Sequence, residues 1–261
     1  MRVNPFYRPV RPPLVFGLSE GARALSELGR FYAARSWLTR GQDGSGRPIL
    51  VIPGLMAGDC STHPLRRLLG GVGYDTHGWG LGINIGPTER AIRGLDELLK
   101  SIRDRHRAPV SIVGQSLGGF LGAELARRHP GSVERLITLG SPMTITDLRQ
   151  SRAGLQYNLF RSQHLLEFEF DKWCRAPRPQ IPSTSIYSRS DGLNHWQACL
   201  YPDSELTENI EVCGSHLGMA VLPTAVYAVL DRLAVPVGDN WRRFQAPATL
   251  RAYFPTPERV A

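Results

Sequence analysis

The sequence predicts an α/β protein with a mostly parallel central sheet, helices on both faces and a helical cap insertion. Short apolar runs bounded by turn residues alternate with amphipathic segments of helical length, the pattern of crossover units joining parallel strands. One of these runs, Val110-Ser111-Ile112-Val113, leads directly into Gly114-Gln115-Ser116-Leu117-Gly118 and a further helical pattern. At 261 residues the chain is long for an average domain but ordinary for one α/β domain with insertions. A single domain over 1–261 is therefore expected. Its parts are an N-terminal helical arm at 1–47, a cap or lid insertion at 142–180 and an irregular tail at 235–261.

The elements follow from pattern and punctuation. Residues 1–17 are rich in Pro and Arg and read as irregular. Ser19 reads as the N-cap of a helix running to about Leu38, with Ala22, Leu25, Leu28, Tyr32 and Ala33 at helical spacing. Pro48 to Ile52 is a buried strand that Pro53-Gly54 turns. A short helix over Pro64, Leu65, Leu68 and Leu69 precedes a second strand around Tyr74 to Trp79. Thr88 opens an amphipathic helix carrying Ile92, Leu95, Leu98, Leu99 and Ile102 on one face. The strand before Ser116, a helix to Arg128 and a strand over Val133 to Leu139 come next. From Pro142 to Gln180 the alternation lapses over a length too great for an ordinary connection. Strands return at Ser183–Ser188 and Asn209–Val212, and a last helix spans Thr224 to about Ala234. The tail, with Trp241, Phe244, Tyr253 and Phe254, is expected to pack across the core.

Composition narrows the partners. The formal charge is +8, and Lys100 and Lys172 are the only lysines. The arginines are scattered, without the basic stripe and interleaved aromatics of a nucleic-acid footprint, so no nucleic-acid partner is expected. Weak association with an anionic lipid surface is compatible with this charge. No stretch approaches the roughly 18 apolar residues of a membrane span, and Met1 to Pro9 holds no apolar run of signal-peptide length. These features imply a cytoplasmic protein. Cys60, Cys174, Cys199 and Cys213 lack the paired spacing of a zinc site and read as reduced thiols. No metal or cofactor is expected, and oligomeric state is not readable.

The chemistry lies in Gly-x-Ser-x-Gly after a strand and before a helix, the sequence form of a nucleophile elbow. Gly17-Leu18-Ser19-Glu20-Gly21 also fits the five-residue pattern. It lacks a preceding strand to build an anion-binding loop, and Glu20 would oppose the anion that the reaction creates. A serine needs a base within hydrogen-bonding reach, and in this arrangement the acid and the histidine follow the serine in the chain. Asp191 lies past the strand ending at Ser188, and His216 past the strand ending at Val212. Both fall at strand carboxyl ends, where open α/β sheets hold ligands. His195 follows Asp191 too closely to be a separate strand-end partner. His63 and His77 precede the serine, and Glu205 and Glu208 are reserve acids. Oxyanion donors are expected at the N–H groups of Leu117 and of Leu55 in Pro53-Gly54-Leu55-Met56-Ala57-Gly58.

Taken together, Pro53-Gly54-Leu55, Gly114-Gln115-Ser116-Leu117-Gly118-Gly119, Gly140-Ser141-Pro142, Ser190-Asp191-Gly192 and Gly214-Ser215-His216 resemble the α/β-hydrolase superfamily. The likeness is to bacterial lipase and esterase members and covers roughly residues 48–234. It implies Ser116 as nucleophile, Asp191 as acid, His216 as base, and Leu55 and Leu117 as oxyanion donors. Many relatives carry His before the oxyanion-loop glycine, where this chain has Pro53. The expected function is hydrolysis of a carboxylic ester, the substrate a small-molecule or lipid ester, with Leu159 and Trp173 of the insertion contacting its acyl part. Acyl transfer through the same triad is the alternative. A non-catalytic binding protein on a hydrolase scaffold and a lipid-surface module using residues 19–38 are the others.

Overall fold

The computed structural model describes residues 10–145, 147–168, 180–236 and 241–255. Thr146, Trp173, Cys174 and the rest of 169–179 lie outside them, as do 1–9, 237–240 and 256–261. Six parallel strands form one sheet in the order β2-β1-β3-β4-β5-β6. They are β1 (Pro48–Ile52), β2 (Asp75–Gly78), β3 (Val110–Gln115), β4 (Val133–Leu139), β5 (Ser183–Ser188) and β6 (Thr207–Val212). The helices are α1 (Leu14–Leu38), α2 (Asp59–Gly71), α3 (Glu89–His106), α4 (Leu117–Arg128), the short α5 (Gly154–Leu159) and α6 (Pro223–Ala234).

Side-chain alternation along the strands divides the core in two. Ile49 and Val51 of β1 join Val113, Ile137, Ile186 and Val212 in packing on α1, α2 and α6. Leu50 and Ile52 join Ile112 and Leu136 in packing on α3 and α4. Both faces of the sheet are covered, as a parallel sheet requires, and β1 and β3 are buried along their whole length. The chain steps from β1 outward to β2, then back across β1 to β3 and onward to β6. The order therefore reverses between β1 and β3, and a crevice opens at the carboxyl ends of those two strands.

The arm departs from its expected start. The helix begins at Leu14 behind Pro13 rather than after Ser19. Ser19 lies inside it, its hydroxyl donating to the carbonyls of Val15 at 2.8 Å and Phe16 at 3.1 Å. Pro12-Pro13 presets the entering turn. Arg152 holds the Pro12 carbonyl at 2.7 Å, so tertiary contact recruits a first turn that local pattern left irregular. Thr88 does cap α3, accepting the Ala91 N–H at 3.2 Å.

The insertion is tied down where it is described. Leu165 N–H donates to Pro87 O at 3.0 Å, and Arg152 N–H to Leu193 O at 2.8 Å. Met143, Ile145, Tyr157 and Phe168 are buried with α3 and α4. In the tail, Phe254 is buried against Phe244, their rings 4.9 Å apart, while Tyr253 is exposed. No described helix is long and apolar enough to cross a membrane.

Thr88→Ala should lower unfolding stability by about 1 kcal/mol through loss of a cap, whereas Ser19→Ala should change it by less than about 0.5 kcal/mol. Urea midpoints measure both, and a Ser19→Ala loss equal to that of Thr88→Ala would contradict the mid-helix placement.

Candidate active site

β3 ends and α4 begins at Ser116, whose backbone sits at φ 50°, ψ −120°. Few non-glycine residues adopt positive φ, and holding one there costs about 1–3 kcal/mol. Two bonds offset this: Ser116 N–H donates to Leu139 O at 2.8 Å, and Ser116 O accepts from Gly119 N–H at 3.0 Å. The flanking glycines let the turn nest against its neighbours. A Cβ on Gly118 would fall 2.7 Å from the Pro53 carbonyl oxygen.

The loop after β1 passes beside this turn. A Cβ on Gly54 would stand 3.2 Å from Ser116 Cβ, so any side chain there would crowd the serine. The loop is fixed by Asn84, fully buried in the connection from β2 to α3. Its side-chain amide donates to Pro53 O at 2.8 Å, its carbonyl accepts from Met56 N–H at 2.7 Å, and its N–H donates to Ala57 O at 2.8 Å. Among the described residues the N–H groups of Leu55 and Leu117 have no hydrogen-bond partner. Leu117 is the first residue of α4, so its N–H also lies at the positive end of a helix dipole.

Asp191 and His216 are buried and meet, His216 Nδ1 lying 2.6 Å from Asp191 Oδ2. The other carboxylate oxygen of Asp191 accepts from the N–H groups of Leu193 at 2.8 Å and Asn194 at 2.7 Å. This bond gives Nδ1 the proton and leaves Nε2 as the basic nitrogen. Burial lowers the proton affinity of His216, but the charge and hydrogen bond of Asp191, together with the charge of Glu20, outweigh it. The net pKa is raised above 6.5. Ser116 Oγ makes no hydrogen bond to His216 among the described residues. The two segments are instead joined by Gln115, whose amide donates to the His216 carbonyl at 3.1 Å. Catalytic hydrogen bonds commonly close only when substrate is bound.

A cleft of about 480 Å³, counted with its solvent-open mouth, lies over the serine. Its lining includes Leu55, Ser116, Leu117, Phe120, Ile145 and Tyr157. Leu159 is 74% exposed and stands outside this lining. α5 is so short that only Gly154 and Tyr157 turn inward, and with Ile145 and Leu148 they form the wall expected of Leu159. His195 is half-buried, and burial lowers its pKa. Glu205 is exposed. Glu208 is bound to Thr184 at 2.7 Å, Arg232 at 3.2 Å and the Phe244 N–H at 2.6 Å, at the amino end of β6 and so at the opposite end of the strands from His216. Cys60, Cys199 and Cys213 are free thiols, and burial pushes the Cys199 thiol up.

One cluster with metal-ligand chemistry occurs among the described residues: Asp75, His77 and His106, with ligand atoms within 4.8 Å of one another. It sits on edge strand β2 and the end of α3, two strands from Ser116, and Asp75 already binds His106 at 2.8 Å. Pattern reading did not single out Asn84, Asn194 or Glu20 as site residues, because their partners come from distant segments. Gln115 stood inside the motif, and its polar side chain at a buried strand end was a usable signal.

The same architecture occurs in solved structures. Lipase B of Aspergillus fumigatus matches with a TM-score of 0.59 at 16% identity, over 74% of this chain and 54% of its own. The chain has the α/β-hydrolase fold. A second α/β-hydrolase structure, the Bacillus licheniformis lipase BlEst2 in its propeptide form, matches with a TM-score of 0.55 at 16% identity, over 79% of this chain and 54% of its own. The chain thus spans about half the length of these two lipases. RutD of Yersinia enterocolitica, named as a carbamate hydrolase, is 35% identical over 69 residues, which are 26% of this chain and 25% of RutD. No family model matches the sequence.

In this α/β-hydrolase framework the His216 imidazole should titrate above 6.5 by NMR. In Asp191→Asn it should titrate below 6.5, because burial then dominates. An unchanged value in the variant would separate the ring from Asp191 in solution.

Proposed function

We propose that this chain is a serine hydrolase of carboxylic esters, with Ser116 as nucleophile, His216 as general base and Asp191 as its orienting acid. The observation that carries the reading is the placement of three side chains just past the carboxyl ends of parallel strands, with Gln115 beside Ser116 donating to the His216 carbonyl at 3.1 Å. A strained serine follows β3, a buried His–Asp pair at 2.6 Å follows β5 and β6, and two unpartnered N–H groups flank the serine.

The chemistry runs from these atoms. His216 Nε2 accepts the proton of Ser116 Oγ as the oxygen attacks the ester carbonyl. Asp191 holds the Nδ1 tautomer and stabilises the imidazolium without taking its proton. The developing oxyanion is received by the N–H groups of Leu55 and Leu117, donors that are oriented before the charge appears. The imidazolium protonates the departing alcohol, and water activated by His216 then releases the acid from Ser116. The apolar wall of Phe120, Ile145, Leu148 and Tyr157 suits the acyl chain. Each buried methylene contributes about 0.8 kcal/mol, a few-fold in kcat/KM until the pocket fills.

Ser116→Ala should abolish fluorophosphonate labelling and reduce turnover of p-nitrophenyl esters to the 10³–10⁴ over water left by oxyanion donors and binding. Ser19→Ala should leave both intact. Labelling that persists in Ser116→Ala would overturn the reading. Because protonated His216 cannot accept the serine proton, activity should fall as pH drops through the raised His216 pKa, giving an acid limb above 6.5. Running the ester series with alcohol or thiol acceptors separates hydrolysis from acyl transfer, the latter showing transfer product in place of free acid.

A further inference from the structure

Glu20 lies in α1, outside the segment whose motifs resemble a hydrolase, yet its buried carboxylate touches both loops that carry the His–Asp pair. Oε1 accepts the N–H of Gly192, the residue after Asp191, at 2.9 Å and the N–H of His216 itself at 3.0 Å. Oε2 accepts the N–H of Leu217 at 2.9 Å, and Arg23 closes the group at 2.8 Å. Two turns along the same helix face, Glu27 takes the N–H of Ser215 at 2.8 Å and its hydroxyl. The loops are shaped for this contact. A Cβ on Gly192 would fall 2.6 Å from Gly17 N, and one on Gly218 3.0 Å from Ala24 Cα.

We propose that Glu20 is a positioning residue that ties the acid loop to the histidine loop and fixes the His216 imidazole between Asp191 and Ser116. The proposal rests on the reading of Ser116, His216 and Asp191 given above. A carboxylate is an acceptor-only group, which is what four converging donors require; an amide would turn a donor toward at least one of them. The charged and titratable groups around His216 are Asp191 from the β5 loop, Glu20 with its Arg23 from α1, Glu27 at the adjacent Ser215, and His195 beside Asp191. Of the two α1 carboxylates, Glu20 bonds the His216 backbone and adds to the proton affinity of its ring, whereas Glu27 bonds Ser215, so the pair separates positioning of the ring from support of its loop.

Three variants test this with two readouts, the NMR titration of His216 and the pH profile of kcat and KM on a p-nitrophenyl ester. Glu20→Gln should move the His216 titration and the acid limb to lower pH. Its kcat should fall up to about 10²-fold, the scale of a small misplacement of reacting groups, with KM little changed. Glu27→Gln should lower the urea midpoint while leaving the His216 titration where it is in the wild type. Glu20→Asp keeps the charge but shortens the reach, so it should retain most of the titration and lose part of kcat. A folded Glu20→Gln with wild-type titration and kcat overturns the proposal, as does an equal titration shift in Glu27→Gln. If Glu20→Gln does not fold, wild-type kcat in Glu20→Asp overturns it. Absence of fluorophosphonate labelling at Ser116 in the wild type would instead defeat the functional reading, while the NMR titrations would still decide whether Glu20 fixes the ring.

Discussion

Ser116 is held at a positive φ by the junction of one strand and one helix, and the rest of the site is arranged around that constraint. The turn stays in place because β4 and α4 supply its backbone partners, the carbonyl of Leu139 and the N–H of Gly119. The loop after β1 runs against this turn, its Pro53 carbonyl so close to Gly118 that a side chain there would collide with it. Backbone strain of this kind persists where the surrounding packing over-determines it. Here the packing is that of two fully buried strands at the reversal point of the sheet.

Electrostatics impose the second constraint. Asp191, Glu20 and Glu27 are all buried and bonded to His216 or to the residue before it, and an unpaired buried carboxylate would be very costly. Each is met by donors: Asp191 by the His216 ring and the N–H groups of Leu193 and Asn194, Glu20 by Arg23 and the N–H groups of Gly192, His216 and Leu217, and Glu27 by the N–H and hydroxyl of Ser215. The loops after β5 and β6 have no regular structure of their own at these positions, so the carboxylates supply the hydrogen bonds that a helix or strand would otherwise provide. The acid and histidine loops are ordered by charge as much as by packing.

Much of the fold could be read from the sequence because period and punctuation agreed. The buried run at β1, the Thr88 cap and apolar stripe of α3, and the strand–Gly-x-Ser-x-Gly–helix junction each point to a single local structure. The sequence positions of Asp191 and His216 were legible for the same reason, since each follows a strand end. What resisted reading depends on contact between remote segments. The first turn of α1 is recruited by Arg152, Asn84 reaches Pro53 in the loop after β1, and Glu20 meets donors more than 170 residues away. Leu159 illustrates a finer difficulty. Its apolar character suggested a cleft wall, but in a helix of six residues a shift of two positions separates the inward Tyr157 from the exposed Leu159.

The separation between Glu20 and His216, 196 residues, also bears on how the protein is made. At synthesis rates of about 5–20 residues per second, roughly 10–40 s pass between the emergence of α1 and that of the loop it holds. Through this interval Glu20 and Glu27 have only water and Arg23 as partners, and Phe31 and Leu38 lack the α6 surface they later cover. The sheet can assemble outward from β1 and β3 as each strand appears, but α1 must wait for β6 and α6 before it docks. Contacts so distant in sequence form late and slow the search. A nascent chain stalled before Thr207 would therefore carry the Ser116 turn without the His216 loop and with α1 still undocked.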